Sequence, residues 1–205
     1  MTSKPKRNFH DDELLNPEDS VFLLIDYQPT QVNSINSMNH AKLVQNIVAV
    51  QKIINTFKIP TILSTVNVKT GRNKDTIPQL KALLPGVKSY DRTTINAWED
   101  VEVYEAIHAT GRHKIIIAAL WTEACCTFPT LDALKEGYDV FPVADSIGGT
   151  TTIAHEAGLQ RMVSAGAQLT SIAQLGCELQ RDWNRTETVD GFFDDMVNAG
   201  AFLEL

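Results

Sequence analysis

The sequence predicts one α/β domain with a doubly wound, six-stranded and mostly parallel sheet flanked by helices, a Rossmann-like fold. Short runs of branched apolar residues recur along the chain, as in strands that are buried on both faces. Segments with helical spacing of apolar residues separate these runs, which is the alternation expected of parallel sheets with right-handed crossovers. A chain of 205 residues is long enough for one such domain and short for two.

The predicted strands are short apolar segments, of which the third is more polar and therefore expected nearer the sheet edge. They cover 21–25, 59–65, 87–92, 114–119, 139–144 and 167–170. Predicted helices cover 38–57, 78–84, 99–109, a segment ending near 136, 153–165, and a last helix through Leu175, Leu179 and Trp183. We divide the chain into an N-terminal arm (1–17), which folds only by lying on the domain or on a neighbouring subunit, a domain (18–185) and a C-terminal tail (186–205).

The composition of the chain argues against two classes of partner, nucleic acids and membranes. The formal net charge of −7 argues against nucleic acid, which is bound through clustered Lys and Arg. No apolar run is long enough to cross a membrane, and the basic first residues are followed by acidic ones rather than by the apolar core of a secretory signal. We therefore expect a cytoplasmic protein. Three cysteines, two of them adjacent, indicate no disulfide framework.

One stretch joins the fourth strand to a helix and carries the cysteine pair. Pro129 is best tolerated in the first helical turn, which places Cys125 at or just before the helix N-terminus. Such a position favours the thiolate, so the pattern predicts a lowered pKa for Cys125. The alternative is that Cys125 and Cys126 are ordinary buried packing residues. Cys126 should point away from Cys125 in a helix and is interpreted as packing.

Three potentially reactive side chains follow predicted strands and should meet at one edge of the sheet, where ligands of open parallel sheets bind. They are Asp26, Arg92 and Cys125. A thiol beside a carboxylate base and a cation suits covalent acyl transfer. Arg92 cannot supply a proton, so it would lower the cysteine pKa and keep Asp26 ionised. Alternatively Asp26 caps a turn, in which case Glu123 becomes the first candidate for proton acceptor.

Other chemistries lack their motifs. The sequence contains no dinucleotide-binding or phosphate-binding glycine loop and no serine nucleophile elbow. The five histidines have no metal-binding spacing. His155 is interpreted as a surface or capping residue.

The chain resembles the isochorismatase-like cysteine hydrolase superfamily, particularly its YcaC-like branch, over about residues 18–185. The resemblance is carried by Leu-Leu-Ile-Asp-Tyr-Gln around Asp26, by Arg92 six residues before Trp98, and by Trp-Thr-Glu-Ala-Cys-Cys around Cys125. Further matches include Glu-Gly-Tyr-Asp-Val from Glu136 and Ala-Asp-Ser from Ala144.

The resemblance implies a catalytic triad of Asp26, Arg92 and Cys125. Arginine stands where the superfamily usually has lysine, as in other YcaC-like members, with Lys88 as the alternative for that position. The resemblance also implies a cis peptide between Leu120 and Trp121, and an oxyanion hole built from the N–H groups of Trp121 and Cys125. The expected substrate-pocket residues are Gln28, Asn96, Trp98 and Leu120, and the loops expected to shape the pocket are 66–76, 93–98 and 146–151.

Nicotinamidase members of the superfamily bind a metal through residues after the second strand. This chain has Thr-Val-Asn-Val from Thr65 there and no histidine, so we expect no metal and no cofactor. The predicted function is metal-independent hydrolysis of a small amide, imide or related C–N substrate through a covalent thioester. The resemblance further implies a homo-oligomer, whether dimer, tetramer or octamer. The alternative is a catalytically silent oligomer on the same fold that binds a small ligand or senses thiol chemistry.

Overall fold

The computed structural model describes residues 3–202 and contains one parallel sheet. Strands β1 to β5 cover Ser20–Ile25, Thr61–Val66, Ser89–Arg92, Lys114–Ala119 and Asp139–Pro142. Their order across the sheet is β3-β2-β1-β4-β5, and every neighbouring pair runs parallel. The predicted α/β class and parallel sheet are confirmed.

The two central strands explain why the apolar runs in the sequence are continuous. All six residues of β1 and all six of β4 are buried. The two strands pair in register from Ser20 opposite Lys114 to Ile25 opposite Ala119. A strand that is covered on both faces gains from apolar side chains at every position, so no alternation with polar residues appears.

Helices cover both faces of this sheet. Helices α1 to α8 cover Pro29–Asn33, His40–Thr56, Pro78–Lys81, Val101–His108, Thr127–Lys135, Thr152–Ser164, Ile172–Gln180 and Val189–Asn198. From β1 the chain crosses through α2 to β2 on one side, and from β4 it crosses through α5 to β5 on the other side. Because such crossovers are right-handed, α2 and α5 lie on opposite faces. Accordingly α2 packs with α7 and α8, whereas α5 packs with α6.

The predicted sixth strand is wrong in extent, since the sheet has five strands. Within 167–170 one residue, Thr170, forms a single parallel bridge with Val143. The next residue, Ser171, already caps α7 by accepting the N–H of Gln174. The segment must therefore turn into a helix before a second bridge can form.

The last predicted helix also ends earlier than expected. Helix α7 stops at Gln180 because Arg181 has a left-handed φ of +60°. The Arg181 side chain turns back to Asp12, with 2.9 Å between Nη2 and Oδ2, and donates to the carbonyl oxygen of Leu15. Trp183 consequently lies outside the helix and is 59% exposed.

Charged side chains of the domain hold the described part of the arm, residues 3–17, against the body of the same chain. Lys114 is buried and donates to the carbonyl oxygens of Asp12 and Leu14. Glu178 accepts the backbone N–H of Leu15 at 2.8 Å. The arm thus lies at the end of the sheet where β1 and β4 begin, opposite to the predicted site. The predicted arm and tail also include residues 1–2 and 203–205, which lie outside the described residues.

A membrane-spanning segment is absent from residues 3–202, where each helix is too short or too polar to cross a bilayer. The expected cytoplasmic location stays a prediction.

Candidate active site

The candidate site lies at the switch point of the sheet, where the chain changes the direction in which it adds strands. β1 and β4 are neighbours at this point, and their carboxyl ends lead into Asp26 and the Cys125 segment. Arg92 is the last residue of β3, two strands away. Ligands of open parallel sheets bind in the crevice outside such strand ends. The structure thus brings the three predicted residues to one place.

Asp26 and Arg92 form a two-pronged ion pair in the protein interior. Nη1 of Arg92 lies 2.7 Å from Oδ1 of Asp26, and Nη2 lies 2.7 Å from Oδ2. Both side chains are fully buried. Nη2 also donates to the carbonyl oxygen of Ile95 at 3.2 Å. Parallel charge-assisted bonds of this kind fix the plane of the carboxylate as well as its position.

Burial and pairing act in opposite directions on this pair. Burial raises the pKa of Asp26, although the Arg92 guanidinium opposes the shift. The pKa of Arg92 is also raised. Burial acts to lower it, but the Asp26 carboxylate raises it by more. The arginine therefore stays charged, and Asp26 is a carboxylate with more affinity for a proton than an ordinary surface aspartate.

Cys125 lies in a π-helical turn, Thr122–Cys126, that runs directly into α5. Its thiol is hydrogen-bonded to Asp26, and the backbone N–H of Trp121 donates to the sulfur. The residue is 9% exposed. The π-turn therefore points the thiol toward the carboxylate and away from bulk solvent.

The expected lowering of the Cys125 pKa is wrong. Burial and the negative charge of Asp26 raise the pKa of Cys125 to about 12, and the opposing effect of Arg92 is smaller. The sequence placed the cysteine correctly at the start of a helix, but it did not show that the thiol would be buried against an anion. At neutral pH the resting side chain is a thiol that already donates its proton toward Asp26.

The peptide bond between Leu120 and Trp121 is cis, as the resemblance implied. Backbone hydrogen bonds hold the residues on both sides of it. The N–H of Leu120 donates to the carbonyl oxygen of Ile25 at 3.2 Å, and the N–H of Thr122 donates to that of Gly148 at 2.8 Å. The Trp121 N–H that faces the sulfur is thereby held between two anchored neighbours.

Lys88 does not occupy the position in the triad at which the superfamily usually has a lysine. Its Nζ lies 2.8 Å from Oε2 of Glu102, in an exposed ion pair, and 4.3 Å from the centre of the Tyr90 ring. Arg92 is the cation that reaches Asp26.

Gln28, an expected pocket residue, is engaged by backbone groups. Its amide nitrogen donates to the carbonyl oxygens of Val66, at 3.1 Å, and Lys74, at 2.5 Å. Its amide oxygen accepts the N–H of Val66 at 2.9 Å. In this geometry Gln28 braces the 66–76 loop against β1 rather than presenting its amide to a ligand.

Asn96 and Trp98 are likewise tied to neighbouring side chains. Asn96 donates to Asp132 at 2.7 Å and caps the short 3-10 helix that carries Trp98. The indole N–H of Trp98 donates to Glu136 at 2.8 Å. Leu120, the fourth expected residue, is fully buried at the end of β4. Whether these side chains line the substrate pocket stays a prediction.

His155, for which a surface or capping role was expected, is not fully exposed and contacts the start of the cysteine turn. Its ring is half-buried, and Nδ1 lies 2.8 Å from the hydroxyl oxygen of Thr122, at the start of the cysteine turn. Burial lowers the pKa of His155, although nearby Glu123 opposes the shift. No spacing rule in the sequence relates residues on α6 to residues after β4, so this contact could not be anticipated.

The remaining thiols differ from Cys125 in their surroundings. Cys126 is fully buried, and burial raises its pKa; Cys177 is exposed on α7. Within residues 3–202 no group of three or more His, Cys, Asp or Glu side chains is arranged to hold a metal ion. A cleft of about 690 Å³ lies between the arm and residues 181–187, at the far end of the sheet from Cys125.

Comparison with known proteins identifies the class. The isochorismatase domain model matches residues 20–174, and the chain belongs to the isochorismatase family of hydrolases. A curated relative from Escherichia coli (strain K12), Probable hydrolase YcaC, is 37% identical over 170 residues, which is 82% of this chain and 81% of the relative. The resemblance to YcaC-like members is confirmed.

Among the solved structures that are similar to this one are two YcaC proteins. YcaC from Pseudomonas aeruginosa, with hexane-2,5-diol and covalent acrylamide, has a TM-score of 0.86 and 33% identity, and the match covers 95% of this chain and 94% of that one. The Escherichia coli YcaC gene product, described as an octameric hydrolase of unknown specificity, also has a TM-score of 0.86. It is 34% identical, and the match covers 96% of this chain and 93% of that one.

Proposed function

We propose that this chain is a metal-independent cysteine hydrolase that cleaves a small amide, imide or related C–N bond through a covalent thioester. The observation that carries the proposal is the contact between the Cys125 thiol and an Asp26 carboxylate whose orientation Arg92 fixes. Family membership and the YcaC relatives support hydrolysis as the reaction class.

In the first half of the proposed reaction, Asp26 accepts the thiol proton as the sulfur attacks the substrate carbonyl carbon. A C–S bond forms, and the carbonyl electron pair moves to oxygen. The N–H groups of Trp121 and Cys125 would stabilise this oxyanion; the Trp121 N–H already faces the sulfur. Collapse of the intermediate breaks the C–N bond, and the departing nitrogen takes the proton from Asp26.

In the second half, water attacks the thioester carbonyl carbon and gives one proton to Asp26. Collapse of this second intermediate breaks the C–S bond and releases a carboxylic acid. The sulfur recovers its proton from Asp26, which restores the resting pair. Arg92 remains charged throughout and keeps the carboxylate in place. A pKa of about 12 for Cys125 makes this coupled proton transfer necessary, since little free thiolate exists at neutral pH.

The proposed substrate class rests on the relatives and on the small exposure of Cys125. The Pseudomonas aeruginosa relative carries covalent acrylamide, a small amide, and Cys125 in this chain is only slightly exposed. A compact, uncharged acyl group fits such a site better than a polymer does. We further propose a closed homo-oligomer, with the octamer described for the Escherichia coli relative as the expected state.

The test is turnover of a panel of small amides and imides by the wild-type chain, Cys125→Ser and the matched control Cys177→Ser. We expect turnover in the wild type and in Cys177→Ser, loss in Cys125→Ser, and an acyl adduct on Cys125 in acid-quenched wild-type samples. Retained turnover in Cys125→Ser, or an adduct on another residue, would refute the proposal. Binding of a panel compound by every variant with turnover in none would support the silent ligand-binding alternative.

A further inference from the structure

Glu123 lies two residues before Cys125 and holds a segment from a different strand end. Its Oε1 accepts the backbone N–H of Thr150 at 3.0 Å and the hydroxyl of Thr150 at 2.6 Å. The other oxygen, Oε2, is buried and has no hydrogen-bond partner among the described residues. Burial of a carboxylate oxygen without a hydrogen-bond partner costs free energy. The contact between Glu123 and Thr150 is therefore expected to have a structural or functional role.

The segment 148–150 is in turn bonded to two other parts of the site. The carbonyl oxygen of Gly148 accepts the N–H of Thr122, and that of Gly149 accepts the N–H groups of Asn36 and Ser37 at 3.1 and 3.3 Å. The Ser37 hydroxyl accepts the N–H of Gly149 at 2.9 Å. Segment 148–150 thus joins the chain after β1 to the turn that carries Cys125.

Two glycines allow these parts to approach closely. A Cβ at Gly149 would lie 2.7 Å from Oε2 of Glu123 and 2.9 Å from Cβ of His155. A Cβ at Gly158 would lie 3.1 Å from Cα of Glu123 and 3.2 Å from its nitrogen. The contacts at Gly149 are too short for a side chain, and those at Gly158 would require neighbouring backbone to shift by a few tenths of an ångström. Helix α6 and segment 148–150 therefore pack directly on the cysteine turn.

We infer that Glu123 is a positioning residue that locks segment 148–150 to the Cys125 turn through Thr150, and so fixes the Trp121 and Thr122 backbone beside the reacting sulfur. This inference rests on the proposed function, in which that backbone stabilises the oxyanion. It assigns Glu123 a role distinct from proton transfer, because what the lock requires is an acceptor oxygen and not a negative charge.

Substitutions at Glu123 and Thr150 distinguish a role as hydrogen-bond acceptor from a role that depends on negative charge. Glu123→Gln keeps an acceptor oxygen and removes the charge, whereas Glu123→Ala removes both. Thr150→Val removes the hydroxyl on the other side of the contact and keeps the backbone N–H. Glu156→Ala is the matched control, since Glu156 is an exposed glutamate on α6, next to His155.

The experiment measures two quantities on the 205-residue chain in its native assembly. One is amide hydrogen exchange in peptides that contain 120–126 and 147–151, and the other is the second-order rate of Cys125 alkylation by acrylamide. We expect Glu123→Ala to speed exchange in both peptides and to slow alkylation by roughly tenfold to a hundredfold, the order expected when a reacting group is displaced by about 1 Å. Thr150→Val should shift both quantities in the same direction but by less, and Glu123→Gln and Glu156→Ala should match the wild type.

Equal loss in Glu123→Gln and Glu123→Ala would overturn the inference and make the charge itself essential. Unchanged exchange in both Glu123→Ala and Thr150→Val would also overturn it. Should Glu123→Ala fail to fold, Thr150→Val still decides the matter. An unreactive wild-type Cys125 would instead count against the proposed function, while the exchange data would still show whether Glu123 holds the segment.

Discussion

The Asp26 carboxylate faces the Arg92 guanidinium, with each of its oxygens 2.7 Å from a different guanidinium nitrogen in a fully buried pair. Arg92 thus holds the carboxylate that receives the Cys125 thiol hydrogen bond. A lysine in the same place would offer a point charge without the matching fork.

The buried ion pair between Asp26 and Arg92 should contribute to the stability of the fold as well as to the proposed reaction. Replacing Arg92 with Leu leaves the Asp26 charge buried without its partner, so we expect a loss of about 3–5 kcal/mol in the free energy of unfolding. Arg92→Lys should lose less. Urea unfolding measures both, with Lys88→Ala as the control, because solvent screens that exposed pair and it should contribute little to stability. An equal effect of Lys88→Ala and Arg92→Leu would contradict this account.

Asp26→Asn should lower both the pKa of the Cys125 thiol and the turnover. Burial and the Asp26 charge raise the pKa of Cys125, and Arg92 lowers it, so removal of the carboxylate should bring the thiol pKa below about 12. The proton acceptor is lost at the same time, and turnover should fall on the order of 10²–10⁴-fold. Thiolate absorbance against pH gives the first quantity and substrate kinetics the second. A raised thiol pKa in this variant, or unchanged turnover, would indicate that Asp26 is a structural cap and not the proton acceptor.

Gln28 should behave as a structural brace. Gln28→Leu has nearly the same volume and removes the bonds to Val66 and Lys74, so each buried backbone group left unpaired should cost about 1–3 kcal/mol. Gln174→Leu, which removes an exposed bond to Glu178, is the control. Unfolding by urea gives the comparison. A Gln28→Leu variant with normal stability and a raised KM would restore Gln28 as a substrate contact.

Acid should release the arm before the domain unfolds. Burial opposes the shift, but Arg181 and Arg7 lower the pKa of Asp12 below 3.8. A lowered carboxyl pKa contributes stability that is present above about 3.8 and is lost as the pH falls through the folded-state value. The protection of residues 8–17 against hydrogen exchange, corrected for the intrinsic pH dependence of the exchange rate, should therefore fall on acidification, and Asp12→Asn should show reduced protection already at neutral pH. Identical exchange in the variant and the wild type would show that Lys114 and Glu178 hold the arm without Asp12.

The sequence predicted the parts of the site that depend on strand ends. Continuous apolar runs identify β1 and β4, and parallel strands bring Asp26 and Cys125 to one edge whatever the loops do. The pKa of Cys125 depends on how deeply the thiol is buried and on its hydrogen bond to Asp26, neither of which has a sequence pattern. The roles of Gln28, Glu123 and His155 depend on contacts with distant loops, and local spacing does not specify them.

Proton transfer from Cys125 to Asp26 is tested most directly by site-resolved labelling of the three cysteines with acrylamide at neutral pH, followed by peptide mass mapping. Cys177 is exposed, Cys126 is fully buried, and Cys125 is slightly exposed but hydrogen-bonded to a carboxylate. If Asp26 draws the proton from Cys125 as the sulfur attacks, Cys125 should be labelled first despite its raised pKa. Labelling of Cys177 first, with Cys125 unmodified until the protein unfolds, would contradict the account.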